Sequence, residues 1–131
     1  MFVDASAIIA IVAQKEGWET LGAKIAQAGK VYLSPLVIWE SVAGPVREAR
    51  ISFEDTEGLV DRLIEETNAQ VITVSAAIGR EALAASRQFG KGRHRAALNF
   101  GDCFAYGCAR AYRLPLLFKG DDFPRTDITI A

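Results

Sequence analysis

The acids of this chain divide into two kinds. Most lie among other charges, but Asp4, Glu40, Asp102 and the pair Asp121-Asp122 sit beside apolar or small residues. Asp4 follows Phe2-Val3 and precedes the apolar run from Ala7 to Val12. Glu40 has Leu36 and Ala43 or Gly44 one turn away on its helix face, Asp102 lies in Asn99-Phe100-Gly101-Asp102-Cys103-Phe104-Ala105, and Asp121-Asp122 follow Leu116-Leu117-Phe118. A carboxylate in such surroundings must be satisfied by helix N–H groups, a cation or a metal, because an unpaired buried charge is either very costly or neutralised. Ordinary roles exist for each: Asp4 or Ser6 as a helix cap, Asp102 in a first helical turn, and Glu40 as a partner for Arg47. Nucleophilic catalysis lacks its parts. His94 is the only histidine, it sits in a loop, and no Ser-His or Cys-His pair is in evidence. With only hard oxygen donors and no Cys or His set at ligand spacing, a bound metal would be Mg²⁺ or Mn²⁺ rather than zinc.

The elements that position these acids follow from the periodicity. Short β-branched or apolar runs alternate with longer helical segments, the pattern of an α/β domain with a central parallel sheet flanked by helices. Strands are expected at Phe2-Val3, Val31-Tyr32-Leu33, Val71-Ile72-Thr73-Val74 and Leu116-Leu117-Phe118. Ser34 with Pro35 behind it, Ser75 and Asn99 are N-cap signals, and Gly29 and Gly90 are stop signals. In a parallel sheet the strands' carboxyl ends share one edge, where open α/β folds place their sites, so Asp4 and Asp121-Asp122 are expected to meet there. The helix expected from Ser52 to Asn68 carries many acids alternating with Phe53, Leu59, Val60, Leu63 and Ile64, and reads as amphipathic with a solvated face.

At 131 residues with half of them apolar, the chain is expected to form a single domain over 1–131 with a real core. A formal net charge of −1 provides no global attraction to nucleic acid or anionic membrane. Any polyanion contact must be local, and the glycine-flanked basic loop with Lys91, Arg93 and Arg95 is suited to phosphates. No apolar run is long enough for a membrane span and the N-terminus lacks signal-peptide features, so a soluble cytoplasmic protein is expected. Cys103 and Cys108 lie five apart on one expected helix, too far and too divergent for a disulfide, and read as core thiols.

Val3-Asp4-Ala5-Ser6-Ala7, Trp39-Glu40-Ser41, Asn99-Phe100-Gly101-Asp102-Cys103-Phe104-Ala105-Tyr106 and Leu117-Phe118-Lys119-Gly120-Asp121-Asp122-Phe123, in this order, resemble a PIN domain, and more narrowly the VapC toxins of type II toxin-antitoxin systems. The resemblance implies a PIN-like α/β fold and an acidic quartet of Asp4, Glu40, Asp102 and Asp122, with Asp121 as an alternative or assistant to Asp122. It implies a metal-dependent endoribonuclease in which Mg²⁺ or Mn²⁺ activates water against an RNA phosphodiester, Ser6 orients the carboxylates, and the basic loop holds flanking phosphates. A VapB-like antitoxin is the implied partner. The apolar surface of the first two helices offers it a groove, with Trp18 as anchor beside Leu21, and a basic antitoxin residue would enter the acidic pocket. A homodimer or a toxin-antitoxin hetero-oligomer is expected, and no membrane contact.

Two other assignments compete. An acid-pocket receiver domain needs an aspartate at the end of the third strand, where this chain has Val74-Ser75. A catalytically silent PIN-like module would be favoured by loss of a quartet acid, and none is lost.

Overall fold

In the computed structural model residues 1–48 and 51–131 are described. Four short parallel strands, β1 (Phe2–Val3), β2 (Tyr32–Leu33), β3 (Gln70–Val71) and β4 (Leu116–Leu117), form a sheet in the order β3-β2-β1-β4. Phe2 pairs with both Tyr32 and Leu116, so β1 lies in the middle with both residues fully buried. Parallel strands need crossover connections, which here are helices. These are α1 (Ala5–Val12), α2 (Trp18–Gln27), α3 (Pro35–Arg47), α4 (Phe53–Glu66), α5 (Ala76–Phe89) and α6 (Phe100–Ala111), with a short 3₁₀ turn at Phe123–Arg125.

The helix starts follow the local chemistry. Ser34, Ser52 and Ser75 each accept a hydrogen bond from the backbone N–H three residues on, satisfying one of the orphan donors of α3, α4 and α5. Pro35 occupies the first position of α3, where its missing N–H costs nothing. Gly107 lets α6 press against α5: a Cβ there would meet the Ile78 carbonyl oxygen at 3.0 Å and the Ala82 nitrogen at 3.1 Å. One core runs through the sheet and both helix layers, and Cys103 and Cys108 lie in it as free thiols.

Several elements differ from expectation. The third strand is Gln70–Val71 rather than 71–74. It lies at the sheet edge and pairs only with the two residues of β2, so Thr73 and Val74 have no ladder to join and lead into the Ser75 cap instead. On α4 only Thr56 and Val60 are buried, while Phe53 and Leu59 face outward. On α1, Ile8 is buried but Ile9, Ile11 and Val12 are only partly covered. Among the described residues no helix is long and apolar enough to cross a membrane.

Candidate active site

Asp4 leaves the sheet at the carboxyl end of β1 and is the N-cap of α1. Its Oδ2 accepts from the Ser6 backbone N–H at 2.9 Å and from the Ser6 hydroxyl at 2.5 Å. The Ser6 Oγ in turn accepts from the Lys119 backbone N–H at 3.0 Å, tying the end of β1 to the segment after β4. The capping role read from the sequence is therefore real, and it leaves Oδ1 of Asp4 outside those bonds. Asp4 is almost wholly buried. Burial raises its pKa, and the Ser6 hydrogen bonds and the Ala5 backbone only partly oppose that.

Asp102 has the same double character. It forms a capping box at the start of α6, with its Oδ2 accepting from the Asn99 N–H at 3.0 Å and its N–H donating to Asn99 Oδ1 at 2.9 Å. Glu40 projects from α3 onto this same turn. A Cβ added to Gly101 would overlap both Glu40 carboxylate oxygens and lie 2.5 Å from Cδ, so only glycine leaves room for that carboxylate. Glu40 thus lies directly over the first turn of α6.

Charge coupling joins the acids. Burial, followed by the charges of Asp4 and Asp102, pushes Glu40 up to about 7, and Arg47, its ordinary partner by sequence, supplies only a weaker opposing influence. Asp102 is pushed to about 6, first by burial and then by Asp4 and Asp122, against the Asn99 N–H that stabilises its charge. The charges of Asp4 and Asp102 thus bear on Glu40, and those of Asp4 and Asp122 on Asp102, linking two helix starts, the middle of α3 and the turn after β4. Among the described residues no group of three or more His, Cys, Asp or Glu side chains is gathered tightly enough to hold a metal ion as it stands. Like charges repel, and Asp4 and Asp102 are each tied back to their own helix N-termini.

Asp121 and Asp122 are both exposed in the turn after β4, and it is Asp122 whose charge bears on Asp102. Lys91, Arg93 and Arg95 form an exposed turn. The Arg125 guanidinium donates to the Arg95 carbonyl at 3.1 Å, which fastens this turn to the segment carrying Asp122. His94 folds inward: its Nδ1 accepts from the Ala96 N–H and its ring meets Phe89 edge-on, a role in shaping the turn.

With this geometry in view, the comparisons with known proteins are decisive. The PIN domain family matches residues 1–128. The chain belongs to that family. Within it, a VapC ribonuclease of Rhizobium meliloti is 39% identical, with 97% of this chain and 98% of that protein covered. Ribonuclease VapC30 of Mycobacterium tuberculosis is 38% identical, with 98% and 95% covered. Among solved structures, Mycobacterium tuberculosis VapC20, described as a Sarcin-Ricin loop cleaving toxin, has a TM-score of 0.78 at 17% identity, covering 99% of this chain and 97% of that one. A toxin-antitoxin complex from Klebsiella pneumoniae has a TM-score of 0.69, also at 17%, covering 99% and 95%. At that identity the two structures speak for the fold alone.

In this PIN domain Asp4 and the Asp121-Asp122 turn follow neighbouring parallel strands, β1 and β4, as the alternation of strands and helices led one to expect. A groove of about 580 Å³ does open beside α1, α2 and α4, lined by Ile11, Val12, Ile25, Leu59 and Leu63, but neither Trp18 nor Leu21 lines it. Trp18 is half-buried beside the Gly17 turn, and Leu21 lines a separate hollow with Leu117 and Phe118. The most exposed tryptophan is Trp39, next to Glu40. Sequence reasoning also missed Gly101 as the seat of Glu40 and Arg125 as the clasp of the basic turn. Gly101 lies in the first turn of α6, and nothing local signalled either contact.

Proposed function

We propose that this chain is a metal-dependent endoribonuclease, the toxin of a VapBC-type pair acting in the cytoplasm, with Asp4, Glu40, Asp102 and Asp122 as its acidic quartet. The observation that carries this reading is the seating of the Glu40 carboxylate on Gly101, at the turn that carries Asp102, where the charges of Asp4 and Asp102 bear on Glu40 and those of Asp4 and Asp122 on Asp102. The names of the VapC relatives support the activity and its RNA substrate.

The donor set fits a hard divalent cation in kind: it is all carboxylate oxygen, with an Oδ1 on Asp4 outside the capping bonds and a Glu40 that lacks a dominant basic partner. Asp4, Glu40, Asp102 and Asp122 would hold Mg²⁺ or Mn²⁺, which when bound lowers the pKa of water and neutralises phosphate charge. The protein's own part is positional. Ser6 holds Asp4 in one rotamer through two hydrogen bonds to Oδ2, and the Asn99 N–H holds Asp102 through one, to its Oδ2. Asp121, one residue before the fourth acid, assists by negative potential. Lys91, Arg93 and Arg95 hold flanking phosphates by charge.

A VapB-like antitoxin is the proposed partner, in a hetero-oligomer or against a toxin homodimer. Its helix would lie in the groove of Ile11, Val12, Ile25, Leu59 and Leu63, while a basic side chain reaches the acids. Trp18 and Leu21 then act at the margin of that interface rather than at its centre.

The test is cleavage of total cellular RNA by the purified chain. Cutting is expected with Mg²⁺ or Mn²⁺ and not with EDTA, and Asp4→Asn, Glu40→Gln and Asp102→Asn should each remove most of it. Undiminished cutting in EDTA, or in all three variants, overturns the mechanism.

A further inference from the structure

A cavity of about 800 Å³ forms an open groove between α5 and α6 that the acidic site does not use. Its floor is buried and apolar, formed by Ala82, Leu98 and Cys103. Leu83 and Phe100 stand over it with 69% of each side chain's residue surface exposed, an unusual cost for large apolar groups on a helix face. Phe100 packs against Phe104 with ring centroids 4.9 Å apart and planes tilted by 50°, which fixes the exposed Phe100 ring in place. Arg80 and Lys91 also line the groove, and none of the described residues lining it is acidic.

We propose that this groove is a nucleobase-binding subsite, in which an unpaired base of the RNA stacks on Phe100 while Arg80 and Lys91 engage its backbone. The proposal rests on the ribonuclease reading above and adds to it where the strand lies. Two features choose this occupant. The charged groups on its rim, Arg80 and Lys91, are both cationic, in a chain whose overall charge is −1, which complements the phosphates of a polyanion and opposes a basic protein segment. Moreover, Phe100 opens the turn of α6 that carries Asp102, so a base held there sets the register of the phosphodiester reaching the acids. Stacking on an exposed aromatic beside guanidinium and ammonium groups is how single strands are held without regular base pairing.

The probe is a short unstructured RNA containing 2-aminopurine, cleaved in Mg²⁺ and also bound in EDTA so that turnover does not interfere. Phe100→Leu keeps apolar bulk and loses the ring. Its kcat/KM is expected to fall about five- to hundred-fold, mainly through KM, and the 2-aminopurine quenching seen with the unmodified chain should weaken. Phe100→Trp should restore both. Removing the base at the quenched position should cost the unmodified chain affinity and cost Phe100→Leu little. If the unmodified chain binds and cuts RNA while Phe100→Leu does so equally well, the subsite is wrong and the nuclease reading stands. If the unmodified chain neither binds nor cuts, both fail. If Phe100→Leu instead turns a dimer into a monomer in sedimentation with RNA affinity unchanged, the groove is a self-association face and the proposal is overturned.

Discussion

Gly101→Ala separates the position of a carboxylate from the stability of the fold. The new Cβ would lie 2.5 Å from Cδ of Glu40, where carbon atoms settle at about 3.5 Å, so one of them must move by about 1 Å. The obstacle is the far end of a half-buried side chain, which rotates away for about 0.5–1.5 kcal/mol. Alanine in place of a helical glycine returns about 0.5–1 kcal/mol. Stability should therefore change by less than about 1 kcal/mol, or about 4 °C in Tm for a chain of this size. Cleavage should fall about a hundred-fold, the usual result of misplacing a catalytic group by that distance. Gly107→Ala is the contrast, because its Cβ meets backbone of α5 that cannot rotate aside. It should lower stability by about 1–3 kcal/mol while the folded fraction cuts at the normal rate. Thermal unfolding and initial cleavage rates at saturating Mg²⁺ measure both. A Gly101→Ala protein that cuts normally would refute the placement of Glu40, and one that fails to fold would refute its freedom to rotate.

Further outcomes follow from the same geometry. Glu40 and Asp102 have pKa values raised from about 4.5 and 3.8 to about 7 and 6, so the metal-free folded chain holds more protons than the unfolded one between roughly pH 4 and 7. Its Tm should consequently decline as pH rises through that window, and Mg²⁺ should reverse the decline above pH 6 but do little near pH 5; a Tm that climbs from pH 5 to 7 without metal contradicts this. Asp122→Asn should cut Mg²⁺-dependent cleavage at least about ten-fold and Asp121→Asn much less, since only Asp122 acts on Asp102, and equal losses in rate assays would remove the distinction. Replacing Lys91, Arg93 and Arg95 together by Ala should reduce the log–log salt slope of RNA binding by up to about 2 and leave the cleavage position unchanged; an unaltered slope in filter binding means the turn is merely solvated.

What was legible in the sequence was local. The caps at Ser34, Ser75 and Asn99 and the proline at the start of α3 each act within one turn, so their residue types suffice to locate helix starts. The parallel sheet followed from alternation, and the acids after β1 and β4 fell on one edge by topology alone. Long-range contacts left no such trace. Nothing in Trp39-Glu40-Ser41 says that Glu40 rests on Gly101, and the third strand ended early because its partner is two residues long, a fact about β2 rather than about Val71 to Val74. Residue type likewise does not say that the groove beside α1, α2 and α4 is lined by aliphatic residues of three helices, nor that Trp39 stands exposed.

The devices that hold the acids also rank them. Asp4 and Asp102 each keep one oxygen on helix N–H groups, so part of the cost of their charge is met by the fold itself. Glu40 has only the weaker influence of Arg47 on its side and faces two other acids, and it retains its proton to a higher pH than Asp102, about 7 against about 6. Its ionisation is then the step most dependent on an added positive charge. A divalent cation would lower that pKa furthest, and a guanidinium from a partner's tail would lower it by the same physics. Under the proposed mechanism, Glu40 would be the residue at which metal, proton and inhibitor compete. Glu40→Gln should therefore weaken the pH dependence of Mg²⁺ binding between pH 5 and 7 more than Asp102→Asn does, as calorimetric titration at several pH values would measure; a pH dependence identical to that of the unmodified chain would move the competition to another acid.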